Sequence, residues 1–242
     1  MRGLARLLGT LAFFLFVVSG QKLPAQGVVG PTGVCKPASM RTQQVGCWIL
    51  ADDPIGPLTK PSVFWTLDEY PTRAAAEADK GPRGTVVESL GKVWLLGIEY
   101  ERTNPNRGPS SGPSPGGPSP GPAHGSRTAE IGPLPIVAGE NYSVQYMEAI
   151  FNPGMTAPEH LHSGPEVWYT QAGETCLETS DGRVQTGRAG GPPVIVPMGL
   201  SMHLTATGME QRRSLVLILH QTSRPPTTVD HNWVAKGLCK KQ

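Results

Sequence analysis

An all-β sandwich or barrel is predicted for the greater part of this chain, and a jelly roll fits the number of strands. Three observations predict it. Strand patterns recur with almost no helical period at about 131–137, 142–151, 158–162, 166–171, 174–180, 183–187, 194–196, 201–207 and 213–220. Turn residues mark the joints: Asp181-Gly182 is a two-residue hairpin signal, and Asn152-Pro153-Gly154, Pro197-Met198-Gly199 and Gly208 mark others. With 242 residues, 38% of them hydrophobic, the chain holds enough apolar material for one domain core or two small ones.

Taken from its start, the chain places Arg2 and Arg6 before an apolar run at 7–18 that is too short to span a bilayer comfortably. That charged-then-apolar plan predicts a signal peptide over 1–25, with an uncleaved N-terminal anchor as the competing reading. Val18-Ser19-Gly20 and Ala25 offer cleavage points. The mature protein is then secreted or periplasmic, with no membrane segment after cleavage. In such a compartment the four cysteines, Cys35, Cys47, Cys176 and Cys239, are expected in two disulfides. Three pairings are open, and Cys35 and Cys239 lie near the two mature ends, where staples are useful.

Residues 26–103 read as a smaller N-terminal α+β extension. Short strands at 47–50 and 63–65 and longer ones at 85–87 and 92–100 are rich in β-branched and aromatic residues. Between them, 71–81 has a proline near its start, an alanine-rich body and a glycine after a lysine, which predicts a short helix. The extension has no histidine, the first in the chain being His124, so it is read as scaffold. Trp48, Trp65 and Trp94 are expected in the core, and Asp52-Asp53 and Asp68-Glu69 as solvated carboxylates. Residues 104–128 are dominated by proline, glycine and serine and predict a disordered linker. The segment 129–225 carries the all-β pattern, and 226–242 is a C-terminal tail.

The chemistry concentrates at 154–173. In a strand, side chains two apart share a face, so His160 and His162 can close on one cation. Glu166 follows the turn signal Ser163-Gly164-Pro165, which can return a third ligand beside the first two. Imidazole and carboxylate donors suit a divalent transition metal, Mn, Fe, Ni, Cu or Zn, without choosing among them. By alternation from Glu166, Trp168 and Thr170 face the metal while Val167, Tyr169 and Gln171 face away. Tyr146 and Glu148 share one face of their strand, Met147 and Phe151 the other, and which face lines the pocket is open. His220 reads as a surface strand end, with a donor or general-base role beside the metal as the alternative. Glu159 points outward, and Cys176 does so if Leu177 is core.

At these residues the chain resembles the cupin superfamily. Gly154, His160, His162, Glu166 and Gly173 fill every position of that family's first motif. Gly191, Pro197, Gly199 and His203 resemble the second, with Leu200-Ser201-Met202 placing one residue more than usual before the histidine. One step along a strand reverses its face, so His203 joins the site where a bulge or shifted turn absorbs the extra residue. The resemblance implies a cupin-type jelly-roll β-barrel at 129–225, with a degenerate first cupin at 26–103 as one option beside scaffold. It also implies a metal held by His160, His162, Glu166 and His203, a small-molecule ligand or substrate beside it, and a possible homodimer paired through sheet edges.

Other classes find no support. The net charge of +2 and the lack of a basic run with interleaved aromatics argue against a nucleic-acid partner. No strand-to-helix nucleophile elbow and no glycine-rich phosphate loop is present, the Gly-x-Ser-x-Gly spacings within 108–121 falling in the proline-rich run. The leading expectation is an exported metal-binding protein with Lewis-acid or dioxygen-dependent chemistry, as an oxidoreductase, dioxygenase or isomerase. A non-catalytic binding or storage module is the alternative, and a structural partner with a vestigial site the third. No catalytic residue beyond the metal ligands is assigned.

Overall fold

The computed structural model describes residues 35–102 and 122–241. The expected signal peptide and the part of the expected linker at 104–121 lie outside these residues. The strands are β1 (Lys36–Pro37), β2 (Gly46–Pro57), β3 (Ser62–Tyr70), β4 (Gly84–Ser89), β5 (Lys92–Glu99), β6 (Ser126–Pro135) and β7 (Asn141–Phe151). They continue as β8 (His160–His162), β9 (Glu166–Ala172), β10 (Glu174–Thr179), β11 (Val184–Arg188), β12 (Val194–Val196), β13 (Met202–Thr207), β14 (Arg212–Gln221) and β15 (Thr227–Val229). One α-helix, α1 (Arg73–Asp79), interrupts them. Among the described residues, no helix is long and apolar enough to cross a membrane.

The strands form three sheets, in the orders β1-β2-β7-β14-β9-β12, β11-β10-β13-β8-β15 and β4-β5-β3-β6. The six-stranded sheet lies between the other two, and its strands feed alternate side chains to opposite faces. Tyr146, Val167, Leu215 and Leu217 pack with Trp65, Leu67, Trp94 and Leu96 of the four-stranded sheet. Their neighbours Met147, Ala149, Trp168 and Val216 pack with Leu177, Met202 and Leu204 of the five-stranded sheet. β7 and β14 are therefore buried at nearly every position. Double burial explains why 215–219 reads as a continuous apolar run rather than an alternating one.

Two sequence expectations change here. The jelly-roll strands are present, but the sheets do not close into a barrel. The N-terminal segment joins the central sheet: β2 pairs with β7 along its whole length, from Gly46 opposite Ile150 to Pro57 opposite Asn141. β3 of that segment pairs with β6, which begins at Ser126 inside the expected linker, and β5 and then β4 follow on its other side to build the third layer. The expected helix at 71–81 is shorter. Thr72 caps it by accepting a hydrogen bond from the Ala75 N–H at 3.2 Å, and Ala76 packs under Tyr70, Val86 and Leu95.

Glu148 ties three parts of the chain together. Its buried carboxylate accepts from Ser89 Oγ at 2.6 Å and Leu90 N–H at 3.0 Å, and pairs with Arg41 at 2.6 Å. Leu90 has a left-handed φ of 53°, so the carboxylate holds the β4–β5 hairpin at its least favourable residue. The C-terminal tail is likewise docked. β15 pairs with β8, and Glu178 of β10 accepts from the backbone N–H groups of Lys236 and Leu238. Disulfides join Cys35 to Cys47 and Cys176 to Cys239, so each end is stapled to a nearby strand rather than to the other end.

Two measurements follow. Peptide mapping of the unreduced protein returns the pairs Cys35–Cys47 and Cys176–Cys239, and a Cys35–Cys239 peptide would refute this arrangement. Glu148→Leu lowers stability in denaturant by about 2 kcal/mol, since it removes hydrogen bonds to a buried charged group. Metal content of this variant stays at the wild-type level, because Glu148 lies on the far face of β7 from the histidines.

Candidate metal centre

The short strand β8 presents His160 and His162 on one face, with 2% and 3% exposure and ring centroids 4.9 Å apart. The turn that follows is held by close backbone packing. A Cβ added to Gly164 would sit 1.6 Å from the Leu219 carbonyl oxygen, and the Leu219 N–H donates to the Pro165 carbonyl at 3.0 Å. This contact with β14 returns the chain so that Glu166 opens β9 beside the histidines. Glu166 Oε2 lies 3.5 Å from His162 Nε2, and one donor atom from each of the three residues falls within 4.8 Å of the others.

The imidazoles are set for coordination by the carbonyls behind them. His160 Nδ1 is 2.7 Å from the Pro158 oxygen and His162 Nδ1 is 2.9 Å from the Pro226 oxygen. A carbonyl only accepts, so each Nδ1 carries the proton and each Nε2 keeps its lone pair for the site. Burial and the neighbouring His162 push the His160 pKa down to about 4. Burial would raise the Glu166 carboxyl, but the adjacent His162 and His160 bring it below its ordinary value. His162 Nε2 and Glu166 Oε2 are buried with no hydrogen-bond partner. Such orphaned donor atoms are what a cation would satisfy, and two imidazoles with a carboxylate fit a first-row divalent ion.

His203 is not brought to this group. On β13 the buried side chains are Met202, Leu204 and Ala206, while His203, Thr205 and Thr207 alternate with them on the outer face. Met202, not His203, is paired with His160 across the strands, and His203 is opposite Glu178. No bulge is present to absorb the residue inserted after Gly199, whose N–H is anchored to the His162 carbonyl at 3.0 Å. The extra residue reverses the face, so His203 is not among the three residues grouped here, although it acts electrostatically on His160.

The three candidate ligands line a cavity of about 260 Å³ between the central and five-stranded sheets. Ile49, Met147, Phe151, Leu204, Val216 and Ile218 supply apolar walls, and the Cys35–Cys47 disulfide forms part of the boundary. Thus Met147 and Phe151 lie on the cavity face of β7, while Tyr146 and Glu148 face the third layer. Trp168 and Thr170 share the face of Glu166, and Val167, expected outward, is buried in the second core. His220 is buried rather than exposed, its Nε2 3.4 Å from Asp52 Oδ1. Asp52, expected to be merely solvated, also accepts from the cavity residue Gln145 at 2.8 Å.

One cavity residue, Arg212, was not singled out from the sequence. It is 1% exposed and lies beside Arg213 in a polar stretch that reads as a surface turn. Counting back by twos from Ile218, Val216 and Ser214 would have placed it on the cavity face.

No protein-family model and no curated protein matches the sequence. Among solved structures, a DMSP lyase, DddQ, from Ruegeria pomeroyi is 20% identical, covering 36% of this chain and 43% of its own, with a TM-score of 0.32. A cupin-like protein from Thermotoga maritima is 16% identical over 40% of this chain and 77% of its own, TM-score 0.32. An RmlC-like cupin family protein with a double-stranded β-helix fold from Methanocaldococcus jannaschii is 19% identical over 32% and 71%, TM-score 0.30. The protein resembles cupins. The chain spans less than half the length of the lyase, and the metal reading stands on the three residues themselves.

Alanine at His203 leaves metal stoichiometry unchanged after loading with Mn, Fe, Ni, Cu or Zn, while His162→Ala lowers affinity at least tenfold. Equal losses in the two variants would refute the assignment of faces on β13. Gly164→Ala forces the ligand turn away from Leu219, so both melting temperature and metal content fall.

Proposed function

We propose that this protein is an exported cupin that holds a divalent transition metal through His160, His162 and Glu166, with a small molecule beside the ion. The observation that carries this reading is the buried pair of orphaned atoms, His162 Nε2 and Glu166 Oε2, at the wall of a cavity. When bound, the ion supplies Lewis acidity and open coordination positions for water, dioxygen or substrate, since three protein donors do not fill its sphere. The chain's own residues do the rest. Pro158 and Pro226 fix the imidazole tautomers, Glu166 contributes negative charge, and the apolar walls exclude water and size the ligand. An oxidoreductase, dioxygenase or isomerase reaction fits such a centre. The two disulfides support an oxidising compartment, in keeping with a signal peptide at 1–25.

A non-catalytic ligand-binding module is the second reading. It is favoured by β13, which delivers Met202 and Leu204 to the buried face in place of His203.

The test begins with metal content of the purified mature protein and of the paired variant His160→Ala/His162→Ala. About one ion per wild-type chain and none in the variant is expected; a wild type that takes up no ion under any loading condition sinks both readings. Oxygen uptake and product analysis across phenols, sugars and keto acids then separate the two, saturable binding without turnover favouring the module.

A further inference from the structure

Arg212 sits in the same cavity as the three ligands and is unpaired there. Its side chain runs back along β14, where Nε donates to Ser214 Oγ at 3.0 Å, and that hydroxyl bonds to Thr170 Oγ1 at 3.2 Å. The guanidinium lies 4.5 Å from the Trp168 ring and 5.4 Å from Phe151, which hold it between two aromatic faces. Nη2 is buried with no hydrogen-bond partner. Burial lowers its pKa to about 10, with Glu166 opposing the shift, so the group is cationic at neutral pH. Glu166 is near enough to act on it electrostatically, but no carboxylate among the described residues pairs with it.

A fully buried guanidinium is normally found with an anion. Counting charges with a divalent ion in place, Glu166 contributes minus one, Arg212 plus one and the neutral imidazoles nothing. The cavity is left with two positive charges. We infer that the ligand of this cavity is a small organic carboxylate whose oxygens accept hydrogen bonds from Arg212 while its body lies against the apolar walls beside the metal. The planar guanidinium matches a carboxylate through two parallel N–H bonds, and Ser214, Trp168 and Phe151 set its orientation in advance. The apolar lining and the volume of about 260 Å³ favour a small organic anion over an inorganic one. This inference rests on the metal-site reading for the ion's share of the charge, while Arg212 itself belongs to the chain.

Calorimetric titration of metal-loaded and metal-free protein with acetate, butyrate and benzoate, each beside its carboxamide and with inorganic phosphate for contrast, tests it. Metal-loaded wild type is expected to bind at least one carboxylate tenfold or more tighter than the matching amide and tighter than phosphate. Arg212→Met loses that preference while keeping one metal per chain. Arg212→Lys, which retains the charge but not the fork, loses at least threefold and serves if the methionine variant does not fold. Absence of any carboxylate preference in wild type, or its full retention in either variant, overturns the inference. A wild type that takes up no metal refutes the metal site instead, and the carboxylate preference of the metal-free protein, expected to be weaker but dependent on Arg212, then decides the role of this residue.

Discussion

The rest of the structure depends on burial of the six-stranded sheet on both faces. β7 and β14 form its middle, and each alternates between two cores that face opposite ways. One core is filled by Trp65, Trp94 and Tyr146, all fully buried, and their neighbours. Its packing contributes the large apolar burial expected of aromatic side chains and gives the sheet a rigid back. The other core is filled only in part, and the space left over is the cavity. A sheet held firmly from behind can carry polar groups on its front without collapsing onto them.

The first and the last of the described segments both take part in that cavity. Cys35–Cys47 lies in its wall, so β2 and the residues before it enclose the site as well as extend the sheet. At the other end, Pro226 accepts from His162 Nδ1 and β15 pairs with β8, so the last part of the chain sets the tautomer of a proposed ligand. Cys176–Cys239 and the backbone bonds to Glu178 hold that segment on β10. Removing the tail would therefore loosen His162 without touching a ligand directly.

The cavity carries opposite charges that do not neutralise each other through contact. Glu166 is directed at the histidines, and Arg212 is clamped against Trp168 and Phe151. Both would be costly to bury alone. Their separation is intelligible if each has its own partner, a cation for the carboxylate and an anion for the guanidinium.

The sequence by itself determined the all-β class, most strand positions and the set His160, His162 and Glu166. Strand periodicity and turn chemistry are local, and the His-x-His spacing carries its geometry within three residues. It also pointed to two disulfides without choosing the pairing. Tertiary structure alone decided the rest. His203 falls on the outer face because one extra residue changes parity, and parity has no consequence until β13 is paired with β8. Arg212 looked like surface because its stretch is polar, and only the packing of two sheets buries it. The central sheet and the third layer arise from pairing between distant residues, Gly46 with Ile150 in the one and Ser62 with Pro135 in the other, contacts no local pattern records.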